Sequence, residues 1–319
     1  MGRPPHHARS SSRALAAIVA LALAGPSCAL ADNLLGRNTA ALLGGPARAP
    51  GHVERPLVPD ARLAVVWIGH ATALVQIEDR VVLTDPVLTR TIAVLGARLV
   101  APGIEAERLP PIDAVLISHM HLDHLSFGSL EAIAAKTRAL VVPEGGLVYI
   151  PDLGFPAHEL GRWQSWEADG LRITAVPVQH SGFRYGADAG WMTATFTGYI
   201  IEYKGVTVYF PGDTGYVRAF FRETARRFPR IDLALLPIAP IEPRAIMRHN
   251  HLDPEEALST FEDLGARWMV PVHHGTFVST FDRPGDALRA LRAGMARRGL
   301  DGSRVLVLGQ GEQHVFLRR

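Results

Sequence analysis

Six consecutive residues, His119-Met120-His121-Leu122-Asp123-His124, constrain this chain more than any other stretch. Neutral imidazole and carboxylate are the ligands that zinc and similar divalent ions prefer. The apolar run Ala114-Val115-Leu116-Ile117 stands before them, with only Ser118 between. A β-strand ending at Ser118 would release these side chains into a loop at a sheet edge. His119 and His121, two apart, can then reach one ion, while Asp123 and His124 point toward a second. A surface loop that is merely histidine-rich would explain the composition but not the strand before it.

The cluster cannot complete two coordination shells alone, so further ligands must arrive from elsewhere. His180 follows the apolar run Leu171–Val178. Asp213 follows Val206–Phe210 in Pro211-Gly212-Asp213-Thr214-Gly215, and His273 follows Trp268–Val272. A lone Asp in Gly-Asp-Thr-Gly is ordinarily a turn. Four strand ends that each deliver a ligand-capable residue argue for one shared site.

The rest of the sequence reads as strands and helices around these ends. Leu63–Ile68, Ala73–Ile77 and Val81–Thr84 are short apolar or alternating runs that predict a meander. Strands are then predicted over 113–118, 139–142, 171–178, 194–202, 206–210, 233–237 and 267–272, with 304–308 and 314–317 closing the chain. Helices are predicted over 125–135, 216–228, 253–264 and 284–298. Asp253-Pro254-Glu255-Glu256 is a strong helix start, with a cap, a proline in the first turn and acids behind it. A meander followed by alternating strands and helices gives an α/β fold with helices over two packed sheets. No low-complexity linker interrupts residues 61–319, which form one predicted domain.

Residues 1–31 have the pattern of an export signal. Arg3, Arg9 and Arg13 precede the apolar run Ala14–Gly25, and Ala29-Leu30-Ala31 offers a cleavage site before Asp32. Cleavage there would remove three arginines and no acid, changing the formal charge of +2 to −1. Cys28 is the single cysteine, so the mature chain would carry neither disulfide nor thiol chemistry. The residues before Cys28 lack the leucine of a lipoprotein signal, which disfavours a lipid anchor and leaves a periplasmic protein as the expectation. Residues 32–60 are rich in Gly, Pro, Ala and Arg and predict an extended arm or linker. With 20% charged residues, a near-neutral balance and no run of four basic residues, the chain has no nucleic-acid signal.

The order His-x-His-x-Asp-His, His180, Gly-Asp-Thr-Gly and a late histidine resembles the metallo-β-lactamase superfamily. Within it the chain is most similar to the N-acyl-phosphatidylethanolamine phospholipase D-like branch. Trp67-Ile68-Gly69-His70-Ala71-Thr72, Leu83-Thr84-Asp85-Pro86, Gln179-His180-Ser181-Gly182 and His251-Leu252-Asp253-Pro254 carry that likeness with the stretches above. The resemblance implies an αββα sandwich of two mixed sheets and a site for two divalent ions, zinc first, with manganese or iron as alternatives. It implies His119, His121 and His180 on one ion, Asp123, His124 and His273 on the other, and Asp213 bridging. His273 is preferred to His274 because the family places an aromatic residue where His274 stands. Asp85 is implied as an acceptor that orients a ligand imidazole.

The implied chemistry is hydrolysis of a small or lipid-linked phosphodiester by a hydroxide shared between the ions, with peripheral membrane contact open. Asp123 and Asp213 belong to that machinery. His251 is a candidate proton donor or phosphate contact, and His70 a further candidate beside the site. Met120, Leu122, Trp163 to Trp166 and Ala239-Pro240-Ile241 depart from the family's pattern and are expected around the pocket. A lactonase or carboxylic-ester hydrolase is the alternative enzyme. A non-catalytic metal- or lipid-binding envelope protein is the alternative outside enzymes. Ile92-Ala93-Val94-Leu95 with Leu99-Val100 is expected in the core, over a substrate channel, or against lipid.

Overall fold

Strand β1 (Ala61–Gly69) is apolar at nearly every position because both of its faces are covered. In the computed structural model, which describes residues 27–92, 96–278 and 281–319, Leu63, Val65 and Trp67 enter one core while Val66 and Ile68 enter another. β1 runs into β2 (Thr72–Ile77) and β3 (Arg80–Thr84) as an antiparallel meander. A small ribbon, β4 (Thr91–Ile92) and β5 (Gly96–Ala97), precedes the parallel strands β6 (Ala114–Leu116), β7 (Leu140–Pro143) and β8 (Ala157–Leu160).

The second sheet repeats this plan. β9 (Ser165–Ala168), β10 (Leu171–Val176), β11 (Gly198–Tyr203) and β12 (Val206–Phe210) are antiparallel. β13 (Leu233–Pro237) and β14 (Trp268–Val272) then add in parallel. The last strand, β15 (Gln313–Arg318), returns to pair with β1. The two orders are β15-β1-β2-β3-β6-β7-β8 and β14-β13-β12-β11-β10-β9.

One core lies between the sheets, where Val75, Leu116 and Val141 meet Ile173, Tyr199, Val208 and Val270. The outer face of the first sheet is covered by a short helix over 127–133 and by nearby loops. The outer face of the second is covered by helices over 218–227, 254–264 and 286–298. This is the four-layer αββα arrangement expected from the sequence. The helix over 254–264 starts as predicted: Asp253 accepts from the Glu256 amide (2.9 Å), and Glu256 reaches back to the Asp253 amide (3.3 Å).

Several expectations are corrected. Residues 32–44 of the expected arm belong to a helix, Ser27–Gly44. The stretch has no apolar stripe, so periodicity misses it; Ala and Leu propensity with no proline between Ser27 and Pro46 carries it. Asn38 ties it to the domain by accepting from the Ala97 amide (2.8 Å). This helix crosses the cleavage position predicted before Asp32, and the signal segment over residues 1–26 lies outside the described residues. Residues 304–308 are not a strand. Val305 and Leu308 fill the cores, but the segment meets β14 only at Met269, through two backbone hydrogen bonds. Strands β8 and β9 were not predicted, because His158, Glu159, Ser165 and Glu167 hide their pattern. Among the described residues, no helix is long and apolar enough to cross a membrane.

Candidate metal centre

Strand ends of both sheets open onto one rim, and the candidate residues sit there. β3 ends before Asp85, β6 leads into His119 to His124, and β10 leads to His180. β12 ends before Asp213, β14 before His273, and β1 before His70. Several of these ends need unusual backbone. His70, Asp85 and His273 have φ of 54°, 31° and 61°, in a region that costs non-glycine residues free energy unless their surroundings fix them. For His70 the fixing is visible. Its amide donates to Thr276 Oγ1 (2.7 Å), and its carbonyl accepts from the His273 amide (2.8 Å) and from Trp67 Nε1 (2.9 Å). Gly212, at φ 63°, lets the chain pass against Ser118 just before Asp213.

Two sets of ligand atoms converge. In the first, His119 Nε2 lies 2.9 Å from His121 Nδ1, and His180 Nε2 lies 3.1 Å and 3.3 Å from those atoms. In the second, His124 Nε2 and His273 Nε2 are 3.2 Å apart, and Asp213 Oδ2 lies 3.3 Å and 3.1 Å from them. Asp123 Oδ2 stands farther off, 3.7 Å from His124 and 3.8 Å from His273, and 3.1 Å from His70 Nε2. Ligands held tetrahedrally at about 2.0–2.1 Å from an ion sit about 3.3 Å from one another, which is the spacing of both sets. Asp213 Oδ1 and His121 Nε2 are buried without a hydrogen-bond partner. The residues fit divalent metal.

Contacts behind the ligands decide which nitrogen faces inward. His124 Nδ1 pairs with Asp85 Oδ2 at 2.6 Å, leaving Nε2 for the centre. Ser118 Oγ donates to the same carboxylate (2.6 Å) and accepts from His119 Nδ1 (2.9 Å), so Asp85 orients two imidazoles. The Ser118 amide adds a third bond to Asp85 (2.6 Å). His180 Nδ1 donates to the Asn250 carbonyl (2.9 Å), which again turns Nε2 inward.

Burial, reinforced by neighbouring imidazoles, pushes His119 and His180 well below the usual histidine range. Both are neutral, as ligands must be. Burial opposes charge on Asp213 too, but His273, His124 and His251 outweigh it and hold the carboxyl well below its usual range. His124 goes the other way. Burial lowers it, yet Asp213, Asp123 and Asp85 together raise it well above the ordinary value. The ion-free protein therefore keeps a proton where an ion would bind. Below the raised value, proton and ion compete for the same site; above it they do not. Metal affinity is expected to rise with pH, by up to about tenfold per unit for each proton displaced. Calorimetric titration in buffers of different ionisation heat would reveal the released proton, and heats independent of buffer would contradict it.

Each predicted residue can be placed. His119, His121, His180, Asp123, His124, Asp213 and His273 all reach the centre. His251 does as well, with Nδ1 3.3 Å from Asp213 Oδ2. His70 joins them through Asp123 and packs its ring 3.9 Å from that of His273. His274 turns away and lies against Trp67, ring centroids 4.5 Å apart, with Nε2 unpartnered. His274→Phe is expected to keep metal affinity within about threefold, because the ring lies against Trp67, and to change stability by about 1 kcal/mol or less, since it removes the unpartnered Nε2 but also a hydrogen bond to the Pro271 backbone. Metal titration and thermal melting check this.

Met120 is a correction. It is fully buried among Ile117, Leu125 and Val142, in the core on the outer face of the first sheet, and is not part of the lining of the cleft beside His70 and His273. Trp163 and Trp166 likewise pack on the cores. Ala239 and Pro240 do line a cleft beside His70 and His273, as expected, and Leu99 joins them there. Residues 93–95 of the Ile92–Leu95 stretch lie outside the described residues. Sequence reasoning missed Ser118, the Asn250 carbonyl and Arg184. Only Ser118, next to the histidines, left any trace.

A family model described as the β-lactamase superfamily domain matches residues 80–274. An uncharacterized protein of Mycobacterium bovis is 37% identical over 230 residues, covering 68% of this chain and 60% of that protein. The chain thus spans about three fifths of that relative's length. The N-acyl-phosphatidylethanolamine-hydrolyzing phospholipase D 1 of Caenorhabditis elegans is 30% identical over 273 residues, 79% of this chain and 76% of the relative. Isothiocyanate hydrolase from Delia radicum gut bacteria shares the fold, with a TM-score of 0.65 at 21% identity, over 80% of this chain and all of that one.

Proposed function

The chain belongs to the metallo-β-lactamase superfamily, and on that premise we propose that it is a two-metal hydrolase of phosphodiesters. The observation that carries this reading is the imidazole triad of His119, His121 and His180 beside a second set in which His124 and His273 close on the buried Asp213, whose Oδ1 has no protein hydrogen-bond partner. His119, His121 and His180 would hold one ion, Asp123, His124 and His273 the other, with Asp213 placed to serve both. Zinc suits such a nitrogen-rich donor set best, with manganese or iron as alternatives. Bound ions would supply Lewis-acid polarisation and an activated water.

The chain's own residues bind and orient. His251, held down to about 4 by burial, is a neutral imidazole. It can offer one N–H to a substrate oxygen, but not the labile proton of an imidazolium. Arg37 and Arg283 line the cleft beside His70 and His273, with Leu99, Pro240 and Phe277 as apolar walls. Cationic and apolar groups together favour an anion carrying a lipid chain, in keeping with the similarity to the nematode phospholipase.

Turnover of a phosphodiester, a lactone and a β-lactam by the metal-loaded protein, with and without chelator, tests the proposal. Chelator-reversible cleavage of the phosphodiester alone is the expected result. Lactone cleavage alone would move the chain to ester hydrolysis. Metal uptake without any turnover would make it a binding protein.

A further inference from the structure

We propose that Arg184 is a positioning residue that fixes the imidazole triad of His119, His121 and His180 and so sets its metal affinity. The inference rests on the metal centre proposed above. His119 and His121 come from one loop and His180 from another, so the triad exists only while the two loops keep their spacing. Arg184, four residues after His180, spans that gap. Its Nη1 donates to the carbonyls of Met120 (3.1 Å) and Leu125 (2.9 Å), one inside the histidine loop and one just past it. The guanidinium lies over Phe127, 4.2 Å from the ring centroid.

The residue is 8% exposed, and its Nε has no hydrogen-bond partner. Burying a cation for two neutral carbonyls is unfavourable on its own account. A loop that needed only packing would be served by an apolar side chain. The backbone beneath Arg184 is fixed as well. Asp188, buried, accepts from the amides of Arg184 and Tyr185 (2.9 Å each) and from the Tyr149 hydroxyl. Phe183 sets its ring edge-on to His121, at 4.8 Å between centroids. Asp188 and Tyr149 thus hold the Arg184 backbone, and Arg184 holds the carbonyls of the histidine loop. Asp85 orients His124 directly and His119 through Ser118, and the His70 carbonyl fixes His273, so what Arg184 adds is the tie between the loop of His119 and His121 and the segment that carries His180.

The test is titration of the full chain with Co2+, followed by its absorption and by chelator competition, in wild type and Arg184→Met. Loss of a contact behind a metal ligand typically costs 10- to 100-fold in affinity, so one of the two bound equivalents is expected to weaken by about that factor. The other should stay within about threefold. A merely structural role would lower the melting point of the ion-free protein and leave the ratio of the two affinities unchanged. Two equivalents of wild-type affinity in Arg184→Met, or equal weakening of both, would overturn the proposal. If Arg184→Met does not fold, Arg184→Gln carries the test: its shorter, neutral side chain cannot bridge the two carbonyls, and the same selective loss is expected. Unchanged affinities there would overturn the proposal. A wild-type chain that takes up no Co2+ would overturn the metal centre itself.

Discussion

Asp213→Asn is expected to lower kcat/KM on the phosphodiester by about 10³-fold or more, equivalent to about 4 kcal/mol of transition-state stabilisation. The substitution keeps the shape of the side chain and removes its charge. Asp213 is 2% exposed, and its Oδ2 lies within 3.3 Å of nitrogens on His124, His251 and His273. Among the described residues no other carboxylate is so placed: Asp123 stands farther from His124 and His273, and Asp85 faces the outer nitrogen of His124. A neutral amide in that position cannot balance the charge of ions on either side. Metal content and turnover should therefore fall together. Wild-type turnover in Asp213→Asn would show that the reaction does not depend on this carboxylate.

Gly212→Ala should be nearly as damaging, by a different route. A Cβ at this position would stand 2.1 Å from Ser118 Cβ and 2.2 Å from Ser118 Oγ, closer than real atoms approach. The residue also has φ 63°, a region that side chains other than glycine rarely adopt. Left-handed backbone and overpacking together are expected to cost about 2–5 kcal/mol. Ser118 cannot move away freely, because its amide and hydroxyl bind Asp85 and its hydroxyl meets His119. The strain therefore reaches the metal ligands. Denaturant unfolding of the ion-free protein and metal titration should both register the change, and wild-type values in either would count against this reading of the contact.

Much of this arrangement was legible in the sequence because the physics is local. An unbroken apolar run such as 63–69 has to be covered on both faces, and that already implies two packed layers. Glycine and ligand-type residues at strand ends then mark a common rim. His119, His180, Asp213 and His273 were readable there because their residue types and their places after strands agree. What the sequence hid depends on direction or on groups that every residue carries. Met120 sits between two ligands yet points into the core, since alternation along the loop turns it inward. The carbonyl that orients His180 belongs to Asn250, and any residue there would offer one. Arg184 belongs to no motif that marks it, and only the fold buries it. The helix over 27–44 went unseen because propensity without an apolar stripe leaves no periodic signal.

The measurement that tests the account most directly is metal analysis of the purified chain after reconstitution with zinc or manganese and removal of loosely held ions. The geometry predicts two tightly held equivalents per chain, one for each converging set. Less than one equivalent per chain would contradict the account at its centre.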